Sequence, residues 1–240
     1  MPVSKAFTPA ELTGRATTHL VPLPGSDLLL HAEVLAPFTA LREAAARDGL
    51  DVRPVSAFRD FERQRLIWND KCQGRRPVLD RAGQPLEVGG LDASAVVDAV
   101  LVWSALPGAS RHHWGTDLDV IDAAALPQGY RVQLTPEEFA PGGPFARLDA
   151  WLARHAATFG FHRPYAVDRG GVQPEPWHIS HAATAARALA GLSVELLADV
   201  LRDTDLQAQE TVLARLPELH ARYVLNVDAP AALISPARPS

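Results

Sequence analysis

The sequence predicts an α+β protein, with a small, mainly antiparallel sheet packed with helices and a helical appendage at its C-terminus. Three observations carry this reading. Short stretches such as "DVRPVSAF" (51–58) and "TDLDVID" (116–122) alternate polar and apolar residues as half-buried strands do. Longer stretches between them repeat their apolar residues at helical spacing. From Ala182 to about Val224 the chain is rich in Ala and Leu at that same period. The organisation that follows is an N-terminal extension over residues 1–30, one sheet-bearing domain over 31–181, and a helical segment over 182–240 packed on it. No internal repeat is visible.

The first expected helix runs from His31 to Asp48, with Val34, Leu35, Phe38, Leu41 and Ala45 on one face and Gly49 at its end. Pro37 predicts a kink or a late start. "DVRPVSAF" follows as a strand, then a helix through "DFERQRLIWNDKC" with Phe61, Ile67 and Trp68 as core positions. Arg59 therefore falls at a strand-to-helix junction, where side chains are often exposed and functional. "QGRRPVLDRAGQPLEVGG" reads as a surface loop or short hairpin. "SAVVDAVLVWSALPG" reads as a buried helix ending at Pro107-Gly108.

In "TDLDVID", Leu118 and Val120 point to one side and Asp117, Asp119 and Ile121 to the other. A strand with carboxylates on one face needs a reason for that face to be polar. Thr135-Pro136-Glu137-Glu138 joins an N-cap threonine, a first-turn proline and a capping-box glutamate, so a helix starts there. "FARLDAWLARHAATFG" is an amphipathic helix stopped by Gly160. "GFHRPYAVDRGGVQPEPWHISH" reads as a hairpin whose second arm carries Trp177, His178 and Ile179. The last dozen residues, rich in Pro and Ala, are expected to fray.

Charge and cysteine content narrow the chemistry. The net charge of −5, with both signs mixed along the chain, gives no basic stripe for a phosphate backbone, which excludes nucleic acid as the expected partner. Cys72 is the sole cysteine, so neither an intramolecular disulfide nor a thiolate cluster can form, and no base neighbours it in sequence. Any metal site must use His and carboxylates. No apolar run is long enough for a membrane span, and the first thirty residues lack a signal-peptide pattern. The expected location is the cytoplasm, unless another route exports the chain to the periplasm or beyond.

A hydrolytic zinc site takes three protein ligands, leaves a position for water, and keeps a free carboxylate beside it for proton transfer. "SRHHWGTDLDVID" (110–122) offers His112 and Asp119 on either side of Gly115, which lets the chain turn between them. "EPWHIS" (175–180) offers His178 with Glu175 three residues before it. Spacing alone leaves His113 and His181 as alternative ligands. His19, His31, His155, His162 and His220 read as ordinary core or surface histidines, Trp114 and Trp177 as core or groove lining, and Asp117 and Asp122 as hydrogen-bonded strand-edge carboxylates.

Ser110-x-His112-x-x-Gly115-x-x-x-Asp119 and Glu175-x-x-His178, preceded by Phe58-Arg59 with Gln64 five residues on, resemble the VanY-type D-alanyl-D-alanine carboxypeptidases. These are zinc metallopeptidases of the group that also holds lysostaphin-type endopeptidases and the hedgehog domain. The resemblance covers about Val52 to His181, roughly half of the chain. It implies zinc on His112, Asp119 and His178, with Glu175 as general base and Arg59 steadying the carbonyl oxygen of the scissile bond. Ser110 and Gln64 shape the substrate side. The implied substrate is a peptidoglycan stem peptide or another peptide ending in D-Ala-D-Ala. An LD-carboxypeptidase, a murein endopeptidase, or a zinc-stabilised binding domain without catalysis are the alternatives. Two departures stand out: Asp117 occupies a position often small or apolar in relatives, and the family's common "YRS" is Phe58-Arg59-Asp60. Peptidoglycan lies outside the membrane, so the missing signal pattern implies a cytoplasmic dipeptide, precursor or recycled muropeptide, or export by another route.

Overall fold

The structure, a computed structural model, describes residues 5–230. The expected fraying of the last dozen residues lies, from residue 231 onward, outside the described residues. The chain opens with a one-turn helix, α1 (Pro9–Leu12), capped by reciprocal bonds between Thr8 and Glu11. Strands β1 (Leu20–Pro22) and β2 (Leu29–His31) then pair as a small antiparallel ribbon. Helix α2 (Ala32–Arg47) leaves β2 directly and buries Val34, Phe38, Leu41 and Ala45, as the spacing predicts. Pro37 does not delay the start, since it sits inside the helix.

The main sheet has four strands, β3 (Val52–Ser56), β4 (Asp117–Asp122), β5 (Phe161–His162) and β6 (His178–His181), in the order β3-β4-β6-β5 and antiparallel throughout. In the β4–β6 register Leu118 pairs with Ile179, Asp119 with His178, and Asp117 with Ser180. Side chains alternate across a pleated strand, so this register sorts the two faces. Leu118, Val120 and Ile179 enter a buried cluster with Val34, Phe38 and Leu41 of α2. Trp151 and Leu152, from helix α6 (Ala146–His155), complete it. Asp117, Asp119, His178 and Ser180 share the opposite face. Beyond Asp119 the side of β4 that carries Asp117, Asp119 and Ile121 turns apolar, and Ile121 is buried in the same cluster, which also holds Trp177 and Phe139. Phe139 ends the short helix α5 (Pro136–Phe139), whose capping box on Thr135 and Glu138 is present as expected.

A second buried cluster lies among the helices. Trp68 of α3 (Phe61–Cys72) and Val97 and Leu101 of α4 (Ala93–Leu101) pack with apolar residues of α7 (Ala182–Gly191), α8 (Val194–Arg202) and α9 (Gln209–Leu219). The C-terminal helices thus share one core with α3 and α4. Asn69 fastens α3 to them by donating to the Asp205 carbonyl and accepting from the Gln207 N–H. On α3 the buried set is Phe61, Gln64, Trp68 and Asn69, whereas Ile67 is only half-buried.

Helix α4 stops at Leu101, well before the expected Pro107-Gly108. The carbonyls that would extend it are used elsewhere: Val102 accepts from the Gln173 N–H at 3.0 Å and Ala105 from the Gln64 amide at 2.7 Å. Pro107 adds a local preference against helix in the residue before it.

Gly115 ends a 3₁₀ turn, Arg111–Trp114, in the left-handed conformation (φ 66°). A Cβ there would lie 2.5 Å from Leu20 Cδ2 and 2.8 Å from the His31 backbone nitrogen. Left-handed backbone and overpacking both oppose a side chain, so Gly115→Ala is expected to cost about 3 kcal/mol. For a chain of this size the melting temperature should fall by roughly 6–12 °C; an unchanged melt would show that β2 yields freely at this contact.

Candidate metal centre

Three chain segments converge above the polar face of the sheet. Turn Arg111–Trp114 brings His112, β4 brings Asp119, and the first residue of β6 is His178. One ligand atom from each lies within 4.8 Å of the others, and all three residues are buried. His112 Nε2 is 3.4 Å from Asp119 Oδ2, and His178 Nδ1 is 3.4 Å from Asp119 Oδ1.

The hydrogen bonds around the two rings decide which nitrogens are available. His112 Nδ1 donates to the Ala57 carbonyl at 2.7 Å, so Nε2 keeps its lone pair toward Asp119. His178 Nε2 bonds Asp117 Oδ1 at 2.9 Å, which turns Nδ1 toward Asp119 and toward Glu175 Oε2, 3.1 Å away. A ligating histidine whose other nitrogen is held by a carboxylate or carbonyl is the usual arrangement in metal sites. Asp119 Oδ1 is buried and has no hydrogen-bond partner among the described residues. A carboxylate that faces two imidazole nitrogens and keeps one oxygen orphaned fits a divalent cation, and the His/Asp/His donor set fits zinc.

The alternative histidines fall away. His113 is fully buried, and its two nitrogens bond the Arg59 carbonyl (2.6 Å) and the Gly108 N–H (3.0 Å). Burial pushes its pKa down to about 3. His181 bonds Thr184 and stands outside the cluster. Cys72 is half-buried, and burial pushes its thiol up to about 12.

A cavity of about 310 Å³ opens onto the cluster. Arg59, Ser110, Glu175 and Trp177 line it together with the three metal-binding candidates. Arg59 sits just after β3, and its guanidinium donates to Gln64 Oε1 at 2.9 Å and Ser56 Oγ at 3.4 Å. Burial lowers its pKa, against the opposing pull of the Asp119 and Glu175 charges. Gln64 does not itself line the cavity. It is fully buried, fixed by its bond to the Ala105 carbonyl, and reaches the site through Arg59. Ser110 lines the wall, and its hydroxyl has no hydrogen-bond partner among the described residues. Trp177 is groove lining, while Trp114 is core, donating its indole N–H to the Leu12 carbonyl.

The family model described as "VanY: D-alanyl-D-alanine carboxypeptidase" matches residues 27–184. The chain belongs to the VanY family. An uncharacterized protein of Haemophilus influenzae is 46% identical over 103 residues, covering 42% of this chain and 70% of that protein. A D-alanyl-D-alanine carboxypeptidase of Enterococcus faecalis is 27% identical over 149 residues, covering 61% of this chain and 46% of that one. The solved structure of VanYB in complex with D-alanine-D-alanine is similar with a TM-score of 0.49 and 21% identity, over 77% of this chain and 89% of that one. The expected α+β fold and the expected carboxypeptidase class stand for this VanY-family chain. No helix among the described residues is long and apolar enough to cross a membrane.

Within the VanY-family site, Asp117 does more than the hydrogen-bonded strand-edge role expected of it, and its neighbours Arg111 and Tyr165 went unnoticed in the sequence. Asp117 is fully buried, accepting from Arg111 Nε (2.8 Å), Thr116 Oγ1 (2.5 Å) and His178. Burial pushes its carboxyl up, but Arg111, His178 and Thr116 outweigh that and hold it well below the usual range. Arg111 also donates to Ser180 Oγ, so one buried network ties the turn to both central strands. Tyr165, its ring 5.1 Å from that of His178, lines the cavity, and burial raises its phenol. Asp122 is the hydrogen-bonded carboxylate expected of it, accepting from the Asp51 and Ala124 N–H groups.

His112→Ala should reduce zinc retained after dialysis, measured by atomic emission, from about one per chain to near none. His113→Ala should lower stability yet retain the metal. Loss of zinc in the His113 variant alone would reverse the assignment.

Proposed function

We propose that this chain is a mononuclear zinc carboxypeptidase that removes the terminal D-alanine from peptides ending in D-alanyl-D-alanine. The observation that carries the reading is the buried His112, Asp119 and His178 cluster with Glu175 beside it and Arg59 across the same cavity. Three ligands rather than four fit a catalytic site better than a closed structural one.

Zinc held by those three residues would polarise the scissile carbonyl and acidify water. Glu175 takes a proton from the water as its oxygen attacks the carbonyl carbon, then gives that proton to the amide nitrogen as the C–N bond breaks. The guanidinium of Arg59 donates to the carbonyl oxygen as negative charge develops on it. Its fixed bonds to Gln64 and Ser56 mean that little reorganisation accompanies that step. Gln64 is therefore a positioning residue. Ser110, its hydroxyl free of protein partners among the described residues, is available to the substrate backbone.

The test is release of D-alanine by zinc-loaded protein from D-Ala-D-Ala, from a longer peptide ending in D-Ala-D-Ala, and from an L,D-linked tetrapeptide, each with a Glu175→Ala control. Glu175-dependent release from the D-Ala-D-Ala peptides is expected. Release only from the tetrapeptide would replace the DD assignment with an LD one, and silence across the panel with one zinc bound per chain would favour a binding domain.

A further inference from the structure

Three cationic side chains line the cavity beside the metal cluster: Arg59, Arg111 and Lys71. Two are committed to the protein. Arg111 is held by Asp117 and Ser180, and Arg59 by Gln64 and Ser56. Lys71, in the last turn of α3, is partly buried, yet its ammonium has no hydrogen bond or ion pair with any described residue. The neighbouring carboxylate is already taken, since Asp70 is bound by Arg75 and Arg76. A lysine that gives up hydration on a cavity wall without gaining an acceptor lacks the pairing that buried charges normally have. Burial lowers its pKa to about 8, partly offset by the charge of Glu175.

We propose that Lys71 binds the free C-terminal carboxylate of the peptide. This inference rests on the carboxypeptidase reading above and adds what makes the site an exopeptidase. Hydrolysis presents two negative oxygen groups at once: the carbonyl oxygen, which gains charge during the reaction, and the terminal carboxylate, which carries it throughout. Arg59, with fixed geometry, serves the first. Lys71, on a flexible stem and with all three N–H donors unspent, serves the second. The cavity that holds Lys71 also holds Glu175, and the field of each is felt by the other.

The experiment is calorimetric titration of zinc-loaded Glu175→Ala protein, which binds without turnover, with N-acetyl-L-lysyl-D-alanyl-D-alanine and with the C-terminal amide of the same peptide. With Lys71 in place, the free acid should bind about 30-fold more tightly than the amide, the range of a charge-assisted hydrogen bond. Lys71→Met should bring the acid down to the affinity of the amide and leave the amide unchanged, while Lys71→Arg should restore part of the preference. Zinc content and melting temperature establish that each variant is folded, and Lys71→Gln replaces the Met variant if that one is not. An acid-over-amide preference unchanged without Lys71 overturns the proposal and leaves the carboxypeptidase reading intact. Failure of both peptides to bind the protein bearing Lys71 overturns both.

Discussion

Glu175→Gln is expected to lower kcat for a peptide ending in D-Ala-D-Ala by about a thousandfold while zinc stays bound at one per chain. The amide has the size of the carboxylate but cannot accept the proton of the attacking water. Glu175 Oε2 lies 3.1 Å from His178 Nδ1, yet Glu175 is not part of the cluster whose atoms converge on a common point. Removing its charge should therefore spare the ligands. Its place is fixed by the backbone rather than by the metal: the Glu175 N–H donates to the Tyr165 carbonyl, and the Glu175 carbonyl accepts from the His178 N–H. The check is steady-state kinetics beside metal analysis. A variant retaining a tenth of the activity would end the role of Glu175 as base, and a variant without zinc would make it a ligand.

The second large effect belongs to Asp117. Asp117→Ala leaves the buried Arg111 without its carboxylate and His178 without the acceptor that orients its ring. Breaking a buried pair from one side costs about 3–5 kcal/mol. Loss of the partner behind a metal-binding histidine weakens metal affinity by about 10–100-fold. Asp117→Asn keeps an oxygen for His178 but no charge for Arg111, so it should recover part of the zinc affinity and less of the stability. Urea denaturation of metal-free protein and competition for zinc against a chelator measure the two effects separately. A double variant with Arg111→Met should recover stability without recovering zinc binding; recovery of neither would mean that Asp117 acts through Thr116 instead.

Much of this site was legible in sequence because its residues lie in two short stretches whose alternation matches a strand. Leu118 and Val120 against Asp117 and Asp119 read directly as two faces, and Ser110 through Asp119 carried the family pattern. The choice between His112 and His113 was not legible. It depends on which ring nitrogens the Ala57, Arg59 and Gly108 backbones occupy, and those contacts come from segments far away in the chain. The true role of Asp117 was hidden similarly: it lies diagonally across from His178 only in the register that pairs Asp119 with His178, and register is a property of two strands together. Helix α4 was overextended because nothing in "SAVVDAVLVWSALPG" reveals that Gln64 and Gln173 claim its later carbonyls. Lys71 stood among polar neighbours at the end of a helix, where a solvated lysine is the ordinary expectation.

Sliding β4 by a single residue would send Asp117 and Asp119 into the apolar layer and turn Leu118 toward the cavity, and sliding β6 would do the same to His178 and Ile179. Core and metal site are thus two readings of one alignment, and a mispaired chain loses both together. Only correctly paired molecules present Asp119 opposite His178, so a metal ion held there would favour them over mispaired ones during folding.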